Sequence, residues 1–447
     1  MRFLIIGGDA AGMSAASRAR RNYPDMEITV LEKTRDVSYS ACGMPYNIAD
    51  RAREIDDLVV RQAQVFRQQQ GINLLTGHRV DRIEPRTRKV FGCTDRDEMF
   101  ALEYDKLLIA TGGSPIMPEL PGFKRPGVMA LKSLEDGRRI KAYIKERNVR
   151  NVVIIGMGYI ALEMCEAFRA LSIDIDMVKP GPVFLPWMAS ELSQTIQAGM
   201  VSHGVKIYTG YQIQGIDAAE DKLRVVCENL VLEADMVLVA IGIRPCSELA
   251  VSAGIETSVK DSIAVDRGLL TSNEHVYAAG DCADAYHVVT GDKTWIPLAL
   301  RANRAGWAVA DNIIERKNEL AGVAGTAVFK VFEFEVARTG LSENEAQRFG
   351  YTPQSVTIKT RSRAHAHPGS SQIWVHLVGD KKTGRLLGAQ MLGEEGVAHR
   401  INAVAVALHG QMTVDQFSQT DLSYAPPFGP VWDPLLTAAN QLQKKIR

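Results

Sequence analysis

The sequence predicts an α/β protein: two Rossmann-like dinucleotide-binding domains in tandem, followed by a C-terminal α+β domain. Three observations lead there. An apolar strand at residues 3–6 runs into the glycine turn Gly7-Gly8-Asp9-Ala10-Ala11-Gly12 and an alanine-rich helix. The same arrangement returns 149 residues later, where strand 151–155 meets Gly156-Met157-Gly158-Tyr159-Ile160-Ala161. From about Gly325 the alternation of strand and helix gives way to successive strands. A strand feeding a helix through small residues lets backbone N–H groups and the positive helix end meet a pyrophosphate.

Each element follows from a local pattern. The first unit closes with a strand at 27–31, and the second with a helix through Ala170 and a strand at 173–178. Residues 104–112 read as a buried strand ending in a tight turn, with a counterpart at 234–242 and another strand-to-turn element at 276–281. Strands at 328–334, 354–358 and 373–378 and a helix near 397–408 make up the C-terminal part. A chain of 447 residues fits about three domains. Its 46% hydrophobic content supplies their cores, and 52 basic against 52 acidic residues give no reason to expect nucleic acid or a membrane surface. The opening apolar run stops at Gly7, too soon for a signal sequence, and no uncharged stretch is long enough to span a bilayer. Six cysteines, at 42, 93, 165, 227, 246 and 282, form no CxxC pair, which points to a reducing cytoplasm.

The residues that carry chemistry cluster around these turns. Asp9 replaces the middle glycine of the first motif, and Glu32 ends the next strand 20 residues after Gly12, where an acid would hold ribose hydroxyls. At the second turn the strand-end residue is Lys179. A lysine there attracts the 2′-phosphate of NADPH that a carboxylate would repel, although it also suits a solvated strand end. Cys42 lies in the polar segment Ser38-Tyr39-Ser40-Ala41-Cys42-Gly43-Met44-Pro45-Tyr46, and Asn47, five positions on, is not a second cysteine. Pro45 suits the first turn of a helix, whose positive end would lower the thiol pKa; a free cysteine is otherwise a small buried apolar residue. Ser14, Arg18 and Arg21 share one face of the first helix, fit for a phosphorylated substrate or simply a solvated basic face. His365 and His367 lack companions at ligand spacing, so no metal site is expected.

Together these residues resemble the pyridine nucleotide–disulfide oxidoreductases, within them the single-cysteine branch of coenzyme A-disulfide reductases, NADH oxidases and NADH peroxidases. The C-terminal run Asp421-Leu422-Ser423-Tyr424-Ala425-Pro426-Pro427-Phe428 is part of the likeness. The resemblance implies an FAD domain split into residues 1–112 and 244–322, an NAD(P)H domain at 113–243, and a dimerisation domain at 323–447 that forms a homodimer. By position it implies that Gly7, Gly12, Glu32, Lys33 and Val80 hold FAD, with Thr111 and Gly112 passing nearby. Asp281 is expected on the ribityl chain and Ala299 near the flavin ring. Gly156, Gly158, Tyr159, Ile160, Lys179 and Gly242 are expected to border NADPH or NADH.

The branch turns on one position. Oxidases and peroxidases carry a His where this chain has Ala10, and a cysteine sulfenic acid needs such a proton donor nearby. In coenzyme A-disulfide reductases the counterparts of Ser14, Arg18, Arg21 and Ser38 touch coenzyme A. Ala41 replaces an expected Asn, Asn303 a substrate-side His, and Ala366-His367-Pro368 a Tyr-Tyr-Pro segment. The chain ends at Arg447, so no fused sulfur-transferase domain is expected. The expected activity is reduction by NAD(P)H of a coenzyme A-linked disulfide, persulfide or polysulfide. Cys42 would form a mixed disulfide with coenzyme A, and Tyr424 of the second subunit would assist the leaving thiolate. An NADH oxidase or peroxidase, an electron-transfer reductase and a redox sensor are the alternatives.

Overall fold

The chain folds as three sheet-centred units in a computed structural model that describes residues 1–219 and 221–447. The first sheet is parallel, in the order Val276–Ala278, Lys106–Ile109, Arg2–Ile6, Glu27–Glu32, Asn73–Thr76. Its central strand Arg2–Ile6 is buried over its last four residues, as expected of a strand covered on both faces. The second sheet repeats the plan: Lys206–Thr209, Asp174–Lys179, Asn151–Ile155, Met236–Val239, Val128–Met129, again parallel. Each carries an antiparallel three-stranded ribbon, His78–Glu84 with Lys89–Thr94 and Met99–Glu103 on the first, Ile213–Ala219 with Lys222–Cys227 and Leu230–Ala234 on the second.

The third unit is an antiparallel sheet, Ala327–Val331, Phe334–Gly340, Leu386–Gly393, Gln372–Asp380, Pro353–Arg361, with helices Val397–His409 and Pro434–Ile446 packed on it. Two sequence expectations need correction here. The strand expected at 328–334 is two strands joined by a tight hairpin, in which Phe332 has a φ of 52°. That left-handed residue is held from the neighbouring unit: its N–H donates to Glu166 Oε2 (2.9 Å) and its ring stacks on His203 (4.1 Å between centroids). The strand Leu386–Gly393, buried at all eight positions, was not foreseen.

One helix contact positions the site. The first helix, Ala10–Asn22, lies against helix Ala299–Asn312, and the approach is so close that a Cβ on Gly306 would sit 2.2 Å from the Ala11 carbonyl oxygen. Buried Ala11, Ala15, Ala302 and Ala305 supply the small side chains this needs.

Candidate active site

The two glycine turns are built alike. Gly7 and Gly156 both adopt φ +113°, and a Cβ on either would collide with a carbonyl oxygen of the adjacent parallel strand's exit, Ala110 at 2.1 Å and Ala240 at 2.3 Å. A Cβ on Gly12 would sit 1.9 Å from the Gly7 oxygen, so the helix comes down directly on the turn. Neither helix has a side-chain cap at its start, Asp9 or Gly158, and neither has an acid in its first turn. The opening N–H groups are therefore left for an external anion. This geometry fits a dinucleotide pyrophosphate at each turn.

Around the first turn, Glu32 is already engaged: its carboxylate accepts from the Gly8 N–H and from the N–H and hydroxyl of Thr34, each at 2.8 Å. A carboxylate has about four acceptor sites, so room for a ribose hydroxyl remains. Lys33 is exposed. Thr111 donates its hydroxyl to the Cys246 carbonyl (2.6 Å), and Gly112 accepts the Cys246 N–H (2.9 Å), tying the two inter-sheet crossings together. Val80 sits opposite Gly92 in the antiparallel ribbon and does not line the central cavity.

That cavity, about 1580 Å³, runs between the two turns. Ser14, Arg21, Ser38, Cys42, Asp281, Ala299 and Asn303 line it from the first unit. Gly156, Gly158, Tyr159, Ile160, Lys179 and Gly242 line it from the second. Cys42 is the one cysteine among the lining residues. It occupies the turn Ala41–Gly43 that leads into the short helix Met44–Ile48, with Pro45 in its first turn as expected. The expected low thiol pKa is not what this setting produces. The thiol meets the cavity on one side, but the surrounding protein mass pushes its pKa up, and the Glu163 carboxylate adds to that, outweighing Lys132. A five-residue helix contributes little against burial.

Position 47 has a structural task instead of a redox one. Asn47 is fully buried, donates to the Glu54 carbonyl (2.8 Å) and accepts from Lys141 (3.1 Å). Ser38, at φ 49°, is held between Gly8, whose carbonyl takes its N–H (3.1 Å), and Val60, whose N–H it accepts (2.9 Å).

The basic row on the first helix divides. Ser14 donates to Asn303 Oδ1 (2.5 Å), joining two expected substrate-side residues. Arg21 is exposed on the cavity wall. Arg18 instead grips Asp311 through Nε and Nη2, both at 2.8 Å, and its guanidinium lies 5.4 Å from the Trp307 ring centre. Tyr424 is exposed and outside its own chain's cavity, in a stretch where Phe428, Val431 and Trp432 are exposed too.

Sequence reasoning missed three lining groups, Lys132, Glu163 and Trp307, and gave Asp9 no role beyond replacing a glycine. Lys132 pairs with Asp281 at 2.8 Å. Asp9 has its carboxyl pushed up to about 6, mainly by burial, while the Tyr39 backbone and Lys132 pull the other way. Glu163 accepts from the Tyr46 hydroxyl (2.9 Å) and stands one turn after Tyr159, a spacing that could have found it. Trp307 stands eight positions into its helix, with no motif to flag it. Tyr159 itself stacks on Phe329 (4.9 Å) and meets Trp187 edge-on (5.6 Å). Among the described residues no cluster of three potential metal ligands occurs, and no helix is long and apolar enough to cross a membrane.

Comparison with known proteins matches residues 1–306 to the pyridine nucleotide-disulphide oxidoreductase family model and residues 326–434 to that family's dimerisation domain. The chain is 36% identical over 443 residues to a coenzyme A-dependent NAD(P)H sulfur oxidoreductase of Pyrococcus furiosus, covering 99% of each. Among solved structures it resembles a NAD-dependent persulfide reductase from A. fulgidus (35% identity, TM-score 0.96, 100% of this chain and 83% of that one). It also resembles the reduced CoADR-RHD protein of Bacillus anthracis (30% identity, TM-score 0.96, 100% and 80%).

Proposed function

The chain belongs to the pyridine nucleotide-disulphide oxidoreductases, and from that premise we propose that it is an FAD-dependent NAD(P)H enzyme that reduces a coenzyme A-linked disulfide, persulfide or polysulfide through Cys42 alone. The observation that carries this is the single thiol. Cys42 lines the cavity shared by both glycine turns, no other cysteine does, and Asn47 is committed to packing.

Gly7, Gly12 and the start of the first helix would hold FAD, with Asp281 and Ala299 toward its ring. Gly156, Gly158 and the start of the second helix would hold the nicotinamide nucleotide. When bound, FAD supplies a ring that accepts hydride from the nucleotide and passes an electron pair on. The protein's own part concerns sulfur. Cys42 thiolate attacks one sulfur of the substrate disulfide, the S–S bond breaks, and the other half leaves as a thiolate that takes up a proton. Two electrons then cleave the mixed disulfide, releasing the second thiol and restoring Cys42. The raised thiol pKa favours holding Cys42 as the mixed disulfide between turnovers, because an uncharged sulfur suits a site where the surrounding protein and the Glu163 carboxylate both disfavour the thiolate. Arg21 and Ser14 would face the phosphates of coenzyme A. Tyr424 of the partner subunit would protonate the leaving thiolate, which makes the homodimer the working unit.

Oxidase or peroxidase chemistry ranks second. Ala10 lines the cavity at the position where such enzymes would offer an imidazole. The deciding measurement is intact mass of the purified protein with and without dithiothreitol. Loss of one coenzyme A on reduction, mapped to Cys42, is expected. One added oxygen on Cys42 would overturn the reading in favour of a sulfenic acid.

A further inference from the structure

In sequence Cys42 lies between strands Glu27–Glu32 and Asn73–Thr76 of the first sheet, but the segment that carries it is fastened to the second unit. Residues 38–60 leave the first unit as a closed excursion. The Val60 N–H donates to the Ser38 carbonyl (2.9 Å), and the Ser40 N–H to the Leu58 carbonyl (2.8 Å). Between those ties Met44, Ile48 and Ile55 are buried in one cluster with Leu134 and with Ile154 of the second sheet. The core of the first sheet, around Ile5 and Leu108, is a separate cluster. The contact is close: a Cβ on Gly137 would sit 2.9 Å from the Ile55 side chain.

Two cations on one helix complete the fastening. Helix Leu134–Glu146 starts in a capping box made by Ser133 and Asp136 and leads into strand Asn151–Ile155. Arg138 donates from Nη1 (2.8 Å) and Nη2 (2.7 Å) to the two carboxylate oxygens of Asp36, and from Nε to Asp56 Oδ1 (2.9 Å). One acid precedes Cys42 and the other follows it, so a single planar group draws the two arms of the excursion together. The Arg138 side chain is 18% exposed and that of Asp36 11%, which shields this pair from screening by salt. One turn on, Lys141 Nζ donates to the carbonyls of Asn47 (3.0 Å), Asp50 (2.9 Å) and Arg53 (2.6 Å). An ammonium has three N–H groups, and this bend engages all of them. The cysteine's own elements offer no such hold. The turn Ala41–Gly43 and the helix Met44–Ile48 both lack a side-chain cap, and pieces so short have little stability of their own.

We propose that Arg138, assisted by Lys141, is a positioning residue for Cys42: it holds the cysteine loop on the second unit so that the thiol meets a disulfide in the alignment exchange requires. A misplacement of about 1 Å, caused far from the chemistry, costs up to about a hundredfold in rate. The inference rests on Cys42 being the sulfur that reacts.

The test separates the sulfur step from the flavin step. Dithiothreitol-treated, desalted, FAD-loaded enzyme is followed anaerobically by stopped-flow absorbance, first during flavin reduction by NADH or NADPH, then during reoxidation by coenzyme A disulfide. Arg138→Met should slow reoxidation by about tenfold and leave the rate of flavin reduction within about twofold. Arg138→Lys keeps the charge but not the fork, and should recover part of the loss. Iodoacetamide needs no alignment, so it should alkylate Cys42 in Arg138→Met at least as fast as in the native enzyme. An unchanged reoxidation rate would overturn the inference. So would an equal fall in both half-reactions, which marks general damage, or a matching fall in alkylation, which marks a change in the thiol itself. Should Arg138→Met fail to fold, Arg138→Lys decides alone: reoxidation slowed about threefold with flavin reduction unchanged supports the inference, and two unchanged rates overturn it. Reoxidation of Cys42→Ser as fast as the native enzyme would instead remove the reading of Cys42, and the inference with it.

Discussion

Arg18 and Arg21 stand three residues apart on one helix face, yet their replacement by alanine should have different consequences. Arg18 makes two charge-assisted hydrogen bonds, both 2.8 Å, to Asp311. The Asp311 side chain is 3% exposed and that of Arg18 25%. Removing Arg18 leaves a buried carboxylate with only Asn318 (2.8 Å) and the distant Asn22 amide (3.4 Å) as donors. Breaking a buried pair in this way costs about 3 kcal/mol. Exposed Arg21 makes no such pair, so Arg21→Ala should change stability by less than about 0.5 kcal/mol. A double-mutant cycle over Arg18→Ala and Asp311→Asn should return a coupling of about 2 kcal/mol. Urea unfolding followed by tryptophan fluorescence suits the measurement, because Trp307 lies 5.4 Å from the Arg18 guanidinium. Burial opposes the Asp311 charge, but Arg18 and Asn318 together hold its pKa below the usual carboxylate value. The pair's contribution is therefore present at neutral pH and is lost as the pH falls through that depressed pKa. In steady-state assays Arg21→Ala should raise KM for coenzyme A disulfide several-fold more than for a neutral disulfide. A coupling below about 0.5 kcal/mol, together with equal KM effects from both arginines, would refute the division and return Arg18 to the substrate.

Two further predictions concern titrating groups. Removing the Glu163 charge should lower the Cys42 pKa, so Glu163→Gln should alkylate faster with iodoacetamide at pH 8, by roughly threefold, in the reduced enzyme; an unchanged rate would show that burial alone governs the thiol. Burial depresses the His287 pKa to about 4, so in the window from about 6.5 down to 4 the unfolded chain binds the extra proton and stability falls with pH. The loss amounts to about 3 kcal/mol. His287→Gln should flatten the difference in urea midpoint between pH 7 and pH 4, and an equal pH effect in variant and parent would assign it to other groups.

What the sequence makes legible is whatever the backbone imposes locally. Gly7, Gly12 and Gly156 are glycines because any Cβ would strike a carbonyl oxygen, and strand Asn151–Ile155 ends where its apolar run does. Strand Leu386–Gly393 escapes the same reasoning because it is buried on both faces and so lacks alternation. Its Gly388, which resembles a loop residue, is there because a Cβ would meet the Leu341 oxygen at 2.2 Å. The hairpin at Phe332 is hidden for a different reason: an apolar residue in a left-handed turn is held by Glu166 and His203, neither of which is local. In the site, Cys42 is legible by position, but its ionisation depends on burial and on Glu163, far along the chain. Arg18 shows the same limit, since Asp311 lies 293 residues away. Lys179 Nζ donates to the main-chain carbonyls of Val183 and Phe184, partners that carry no side-chain signature at all.

The first helix couples the glycine turn to the cavity wall through its pitch. Its N-terminus rests on Gly7 by way of Gly12, and its flank carries Ser14 toward Asn303, Arg18 toward Asp311, and the backbone of Ala11 against Gly306. Successive residues of a helix are rotated by about 100°. One residue inserted between Gly12 and Ser14 would leave the glycine turn intact yet swing Ser14, Arg18 and Arg21 together off their seam. The count of residues between the turn and the flank is then as constrained as their identity. Under the proposed function, substrate recognition on this wall would change by substitution at Ser14 or Arg21, but not by lengthening or shortening the helix that carries them.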